Sequence, residues 1–238
     1  MVEADSFTSQ LRTFRGRRRF YNWLDARIEL RAADRLIAKG VSRVCEAPFT
    51  TIDRLKINTD EFAQSLLSLE TDVLVTSACP LLKPEIFEIP RLPTINVHRG
   101  IAPAYRGQRT IFWPLYLEDF DNIGVTLHLI DRGIDTGPIL AHGFPELQPR
   151  DSEATILAKC IEMAADILVK LLVGSEAGQL EGTRQTREGQ SFRRRDERIW
   201  KDLSYLFLRA ARQRPIPSRL ARIEARCDQP RLMVGKRR

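Results

Sequence analysis

The hydrophobic pattern of this chain changes period along its length. In RFYNWLDARIELRAADRLIAKG, Phe20, Trp23, Leu24, Ile28, Leu30 and Leu36 recur at roughly helical spacing. A helix with one apolar face, ending near Gly40, is expected. The arginine-rich run at 15–19 reads as a solvated helix entry. A short strand is expected at 41–47, then a loop at Pro48. Asn58 or Thr59 can cap a helix reaching about Leu69, with Asp60 and Glu61 in its first turn. Residues 72–78, DVLVTSA, form a nearly continuous apolar run of strand length. Residues 81–87 predict a short helix with flanking turns, and 94–98 the next strand. Residues 109–118 look helical but contain Pro114, which predicts a bend.

Residues 124–130 and 139–144 read as two strands joined by an acidic loop. The clearest helix follows, with Asp151 as its cap and Gly174 as its stop. Between them Ile156, Leu157, Cys160, Ile161, Ala164, Ile167, Leu168, Leu171 and Leu172 make one stripe at the 3.6 period. After Thr183, polar turns precede a helix carrying Ile199, Trp200, Leu203, Leu206, Phe207 and Ala210, then a Pro/Arg-rich tail. Alternating strands and helices of these lengths define an α/β domain.

Length and composition narrow the class. At 238 residues the chain can bury one substantial core. No apolar run has the length of a membrane span, and residues 1–30 lack a secretory h-region. Four scattered cysteines, Cys45, Cys79, Cys160 and Cys227, give neither a disulfide framework nor a zinc ribbon. A reduced, cytoplasmic protein with no membrane partner is expected. The net charge of +7 is unevenly placed: +3 over 1–35, −7 over 36–183 and +11 over 184–238. Three segments are therefore expected: a basic helical N-terminal segment at 1–35, a catalytic domain at 36–183 and a basic C-terminal extension at 184–238. The extension interleaves Phe192, Trp200, Tyr205 and Phe207 with arginines. Either it packs a helix onto the acidic domain or it offers a surface to tRNA or another polyanion. Packing is preferred, because Ile199, Leu203 and Leu206 repeat as a buried helix face would. Composition does not fix the oligomeric state.

The candidate chemistry lies between Ile95 and Leu140. Asn96 and His98 are two apart on a predicted strand, so their side chains share a face. A carboxylate on the loop DRGIDTG, residues 131–137, can close over them. An amide donor, an imidazole and a carboxylate suit acyl transfer without a metal or a covalent intermediate. His128 and His142 read as structural. A zinc site from His98, His128 and His142 has no local ligand spacing behind it.

Four motifs occur in order: Asn96-x-His98, Pro103-x-Tyr105-Arg106-Gly107, Gly124-Val125-Thr126-x-His128, and Asp131-x-Gly133-x-Asp135-Thr136-Gly137. In this combination the chain resembles the formyltransferase family that uses 10-formyltetrahydrofolate. That family includes methionyl-tRNA, glycinamide ribonucleotide and sugar N-formyltransferases. The resemblance runs from about Thr71 to Leu172 and implies a Rossmann-like domain. It assigns catalysis to Asn96, His98 and Asp135. It also implies a folate pocket lined by Leu81, Leu82, Ile86 and Phe87, with the loop backbone at Arg132, Gly133, Ile134 and Thr136 reading the pterin edge. No metal is implied. The implied reaction moves a formyl group to a primary amine, on a methionyl-tRNA-like, nucleotide-sugar or other small acceptor. A hydrolase using water, and a catalytically silent folate-binding or interaction module, are the alternatives.

The chain also departs from the family. Relatives open with a strand and a glycine turn that anchors the acceptor, whereas Gly16 stands alone among arginines. The first strand–helix units are expected to be either absent or replaced by a helix. Arg99 and Gly100 stand where relatives often carry Pro-Ser. The tail after Thr183 looks too short and too poor in strands for the barrel domain of methionyl-tRNA formyltransferase.

Overall fold

The computed structural model describes residues 14–38, 51–174, 180–186, 189–196 and 216–225. The expected strand at 41–47 and the expected helix around 199–210 lie outside them. A 25-residue helix, α1 (Phe14–Ala38), comes first. Ile28, Ala32 and Leu36, four apart, reach the main core, with Ala32 fully buried. Trp23 and Leu30 point to solvent instead, because a helix buries only the positions that recur near its 3.6 period. Helix α2 (Asp60–Ser68) follows; Thr59 caps it by accepting the Phe62 N–H at 3.4 Å. Helix α3 (Pro84–Phe87) starts with a proline at its first position, where no N–H is needed.

Strands β1 (Val75–Ser77), β2 (Ile95–His98), β4 (Val125–Leu129), β5 (Ile139–Phe144) and β7 (Arg222–Ala225) form one sheet in the order β1-β2-β4-β5-β7. β3 (Tyr105–Gly107) and β6 (Gln190–Phe192) form a second, two-stranded sheet. In the main sheet β1 and β2 are parallel, and the other three pairings are antiparallel. A mixed sheet follows from connection length. The loop between β4 and β5 is too short for a crossover helix, so those strands return as a hairpin.

Helix α4 (Phe112–Tyr116) is shorter than the 109–118 segment expected. Pro114 therefore lies in its first turn, where N–H groups have no intrahelical partner, and no bend is needed. Helix α5 (Glu153–Gly174) lies across the sheet and packs on α1. Its cap is Ser152, whose hydroxyl accepts the Thr155 N–H at 3.1 Å. Asp151 instead accepts from the Gln148 N–H (2.8 Å) and the Lys159 ammonium (2.7 Å). Ile156, Leu157, Cys160, Ala164 and Ile167 are buried as expected, while Ile161 is partly exposed. Gly143 lets α5 approach β5, since a Cβ there would meet Ile167 and Met163 within 3 Å.

The basic C-terminal segment enters both sheets, as β6 in the smaller and as β7 in the main one. Arg219, just ahead of β7, is folded inward. Its guanidinium donates to the carbonyls of Phe120 (2.8 Å), Ile123 (2.7 Å) and Pro145 (3.0 Å). Burial pushes its pKa down to about 10. Arg219→Ala would leave those carbonyls short of a donor. It should lower unfolding stability by about 1–3 kcal/mol in urea titration, as loss of buried hydrogen-bond partners does. The exposed Arg195→Ala should stay within about 0.5 kcal/mol. Equal effects would mean that Arg219 does not act as a buried donor.

Candidate active site

Strand β2 lies between β1 and β4, and its register decides which side chains meet. Asn96 pairs with Thr76 on β1 and with His128 on β4; His98 pairs with Thr126 on β4. Directly paired residues share a face, as do residues two apart. Thr76, Asn96, His98, Thr126 and His128 therefore stand on one side of the sheet. Ile95, Val97, Val125 and Leu127 alternate to the other side, in the core shared with α5. Thr126 and His142 brace the turn after His98 by holding both polar groups of the Ala102 peptide. Thr126 Oγ1 accepts the Ala102 N–H (3.0 Å), and His142 Nε2 donates to the Ala102 carbonyl (2.9 Å).

The acidic loop 131–137 carries Asp135 over this face. Asp131 shapes the loop by accepting from the Gly133 N–H (2.9 Å) and the Thr136 hydroxyl (2.6 Å). Asp135 has φ +52°, the left-handed region that a non-glycine residue enters at a cost of about 1–2 kcal/mol. Its carboxylate gathers four groups. Oδ2 accepts the Gly107 N–H at 2.8 Å and lies 3.3 Å from His98 Nδ1. Oδ1 lies 3.3 Å from Asn96 Nδ2 and 3.4 Å from His128 Nε2. The contact is direct. Gly107 itself has φ +89°, and a Cβ there would collide with the Phe192 carbonyl of β6.

Proton positions follow from the partners. The Tyr105 carbonyl can only accept, so His98 Nε2 donates to it at 2.8 Å and Nδ1 is turned to Asp135. The Leu129 carbonyl likewise takes the Nδ1 proton of His128 (2.8 Å), leaving His128 Nε2 to accept an Asn96 N–H at 3.0 Å. Asn96 Oδ1 accepts the Thr76 hydroxyl at 2.9 Å. Burial holds His98 below the ordinary histidine pKa, and Asp135 pulls the other way. Burial would raise the Asp135 pKa, but His128 and His98 in their protonated forms, together with the Gly107 N–H, outweigh it and hold the carboxyl at about 2. The result is an ionised carboxylate beside an imidazole ready to accept a proton.

A cleft of about 680 Å³ opens above these groups. Leu81, Leu82, Ile130, Gly133 and Ile134 line one part of it. Ile86 and Phe87, expected in the folate wall, are instead buried with Leu66 and Leu82, because α3 turns them inward against α2. Arg132 is exposed outside the lining, and the Thr136 hydroxyl is committed to Asp131. On the far side α1 reaches the rim, where Glu29 pairs with Arg99 and Asp25 lies 3.7 Å from Arg109. Sequence reasoning missed His128 as a site member. Its parity on β4 was legible, but its pairing with Asn96 depends on strand register. The three histidines each turn a ring nitrogen to a backbone carbonyl. Among the described residues no cluster of His, Cys, Asp or Glu is arranged to hold a metal, and no helix is long and apolar enough to cross a membrane.

The mixed sheet thus carries Asn96 and His98, with Asp135 closing over them, beside an apolar-walled cleft. Residues 29–172 match the family model described as "Formyl transferase", and the chain belongs to that family. It is 31% identical to the methionyl-tRNA formyltransferase of Desulfotalea psychrophila over 141 residues, covering 59% of this chain and 43% of that protein. It is 38% identical to that of Thermosynechococcus vestitus over 113 residues, covering 47% and 34%. The matched region thus spans less than half the length of these relatives. A crystal structure of a 4-N formyltransferase from Francisella tularensis shares the fold, with a TM-score of 0.51 at 20% identity, covering 61% of this chain and 56% of that one.

The depressed Asp135 pKa has a consequence for stability. An acid whose pKa is lowered by folding stabilises the folded chain fully above its unfolded value, near 4. That contribution is lost as pH falls toward about 2. The unfolding free-energy gap between wild type and Asp135→Asn should therefore narrow by about 2 kcal/mol between roughly pH 5 and pH 2. A gap that stays constant in urea titrations across that window would contradict the charged network.

Proposed function

We propose that this chain transfers a formyl group from 10-formyltetrahydrofolate to a primary amine. The observation that carries this reading is the convergence of Asn96, His98 and Asp135 on one face of β2 within a single cleft. Family membership supports the choice of formyl as the acyl group. The cleft fits the donor in size and character. Its volume lies in the range of small-molecule sites, with an apolar wall at Leu81, Leu82, Ile130 and Ile134 opposite polar side chains. The folate supplies a formyl carbonyl open to attack by an amine.

The residues then divide the work. Asn96 has two N–H groups, one on His128 and one on Asp135 at the long distance of 3.3 Å. The second is the one released to a carbonyl oxygen gaining charge. His128 and Thr76 keep the amide plane fixed while that exchange happens. A preorganised donor of this kind contributes about 3–4 kcal/mol. His98 receives the amine proton at Nδ1 and the ionised Asp135 stabilises the imidazolium that forms; the imidazolium then returns the proton to the folate nitrogen as its bond to the formyl carbon breaks, releasing tetrahydrofolate. The acceptor is proposed only as a primary amine; a methionyl-tRNA-like acceptor and an amino sugar nucleotide both fall within that class.

The test follows tetrahydrofolate release from 10-formyltetrahydrofolate in the presence of a panel of amines. His98→Ala should lower kcat by at least about 100-fold, and Asn96→Ala by about 100–1,000-fold. The KM for the donor should change little in both, since neither residue belongs to the apolar wall. Wild-type turnover in His98→Ala would remove it from the chemistry.

A further inference from the structure

We infer that Gln185 is a positioning residue that holds the Asp135 carboxylate over the site, a role that rests on the catalytic reading of Asp135. Gln185 lies well after the β4–β5 hairpin, in the stretch between α5 and β6. Its single side-chain NH2 donates to two carbonyls of the acidic loop, Asp135 at 3.0 Å and Gly137 at 2.7 Å. Those carbonyls flank the turn on which the carboxylate stands. Its Oε1 is held in turn by two nitrogens of Arg106, with Nε at 3.1 Å. An amide can present its NH2 in two senses, and a guanidinium on its oxygen allows only one.

The contacts close a ring. Arg106 orients Gln185, and Gln185 fixes the Asp135 backbone. The next residue, Gly107, donates its N–H to the Asp135 side chain. Strand β3 thus grips Asp135 from both ends, once directly and once through Gln185. Two further contacts fix the parts that hold the ring. Thr183, two residues before Gln185, exchanges backbone hydrogen bonds with Ile139 at 2.7 and 2.8 Å. β3 pairs with β6, which follows Gln185 closely. The need for such a grip is visible in Asp135 itself, since a left-handed aspartate stays put only when its surroundings over-determine it. Gln185 itself does not line the cleft, and the loop residue in the apolar wall, Ile134, precedes the two carbonyls that Gln185 holds, so donor binding should depend on it less than catalysis does.

The test compares Gln185→Ala, Gln185→Glu and Asp135→Asn in the full chain. Gln185→Glu is close in shape and keeps an oxygen for Arg106, but it loses the NH2. Both Gln185 variants should lower kcat for tetrahydrofolate release about 10–100-fold, with the KM for 10-formyltetrahydrofolate within about 3-fold. A second readout does not depend on turnover. The chain has three histidines, so their imidazole NMR signals can be assigned by single substitution. His98 faces Asp135, His128 and Arg99. Withdrawal of the carboxylate in Gln185→Ala and in Gln185→Glu should move the His98 titration in the same direction as Asp135→Asn does. If Asp135→Asn keeps wild-type kcat, the catalytic reading of Asp135 fails. If Asp135→Asn is inactive while both Gln185 variants keep wild-type kcat and His98 titration, the positioning role fails. A fall in activity with an unshifted His98 titration would also overturn it, since the damage would then not run through the carboxylate.

Discussion

The register of β2 against its two neighbours is the constraint on which the rest depends. A strand has two faces, and a slip of one residue exchanges them. In the observed register Ile95 and Val97 face the core with Val125 and Leu127, while Asn96 and His98 face the cleft with Thr76, Thr126 and His128. The energy of burying the apolar set against α5 therefore fixes the position of the polar set. Stability and site geometry share one cause: a register that exposed the apolar set would also dismantle the network around Asn96 and His98.

Asp135 completes the site from outside the sheet, and that makes its position a matter of loop chemistry. Its own segment shapes it through Asp131, which ties down Gly133 and Thr136. Distant segments finish the work, through the Gly107 N–H and the Gln185 side chain. The basic C-terminal segment is thus part of the domain's structure. It supplies β6 to brace β3, β7 to extend the main sheet, and Arg219 to satisfy carbonyls beneath β7. The Asp135 carboxylate and one sheet edge rely on residues far along the chain.

What was legible in sequence was local. Period-2 parity put Asn96 and His98 together, the Asn58–Thr59 pair narrowed the cap to two residues of which Thr59 makes it, and the stripe on α5 announced its buried face. Non-local matters were harder to read. Asp151 looked like the cap because its competing partner, Lys159, lies two turns along the helix; Ser152 takes that place. The family resemblance implied Ile86 and Phe87 as ligand contacts, and it says nothing of how α2 packs on them in this chain. His128 looked structural because nothing in VTLHL states that Asn96 will stand opposite. Gln185 carried no signal at all in isolation, since its meaning lies in two carbonyls and an arginine brought to it by the fold.

The most direct measurement follows a ¹³C label in the formyl carbon of 10-formyltetrahydrofolate, incubated with the chain and with aminoacyl-tRNA, amino-sugar nucleotides and small primary amines. The expected result is the label in an N-formyl amide of one acceptor, at a rate that vanishes when Asn96 and His98 are both replaced by alanine. Label appearing only as formate, or transfer that survives the double replacement, would contradict formyl transfer by this face of the sheet.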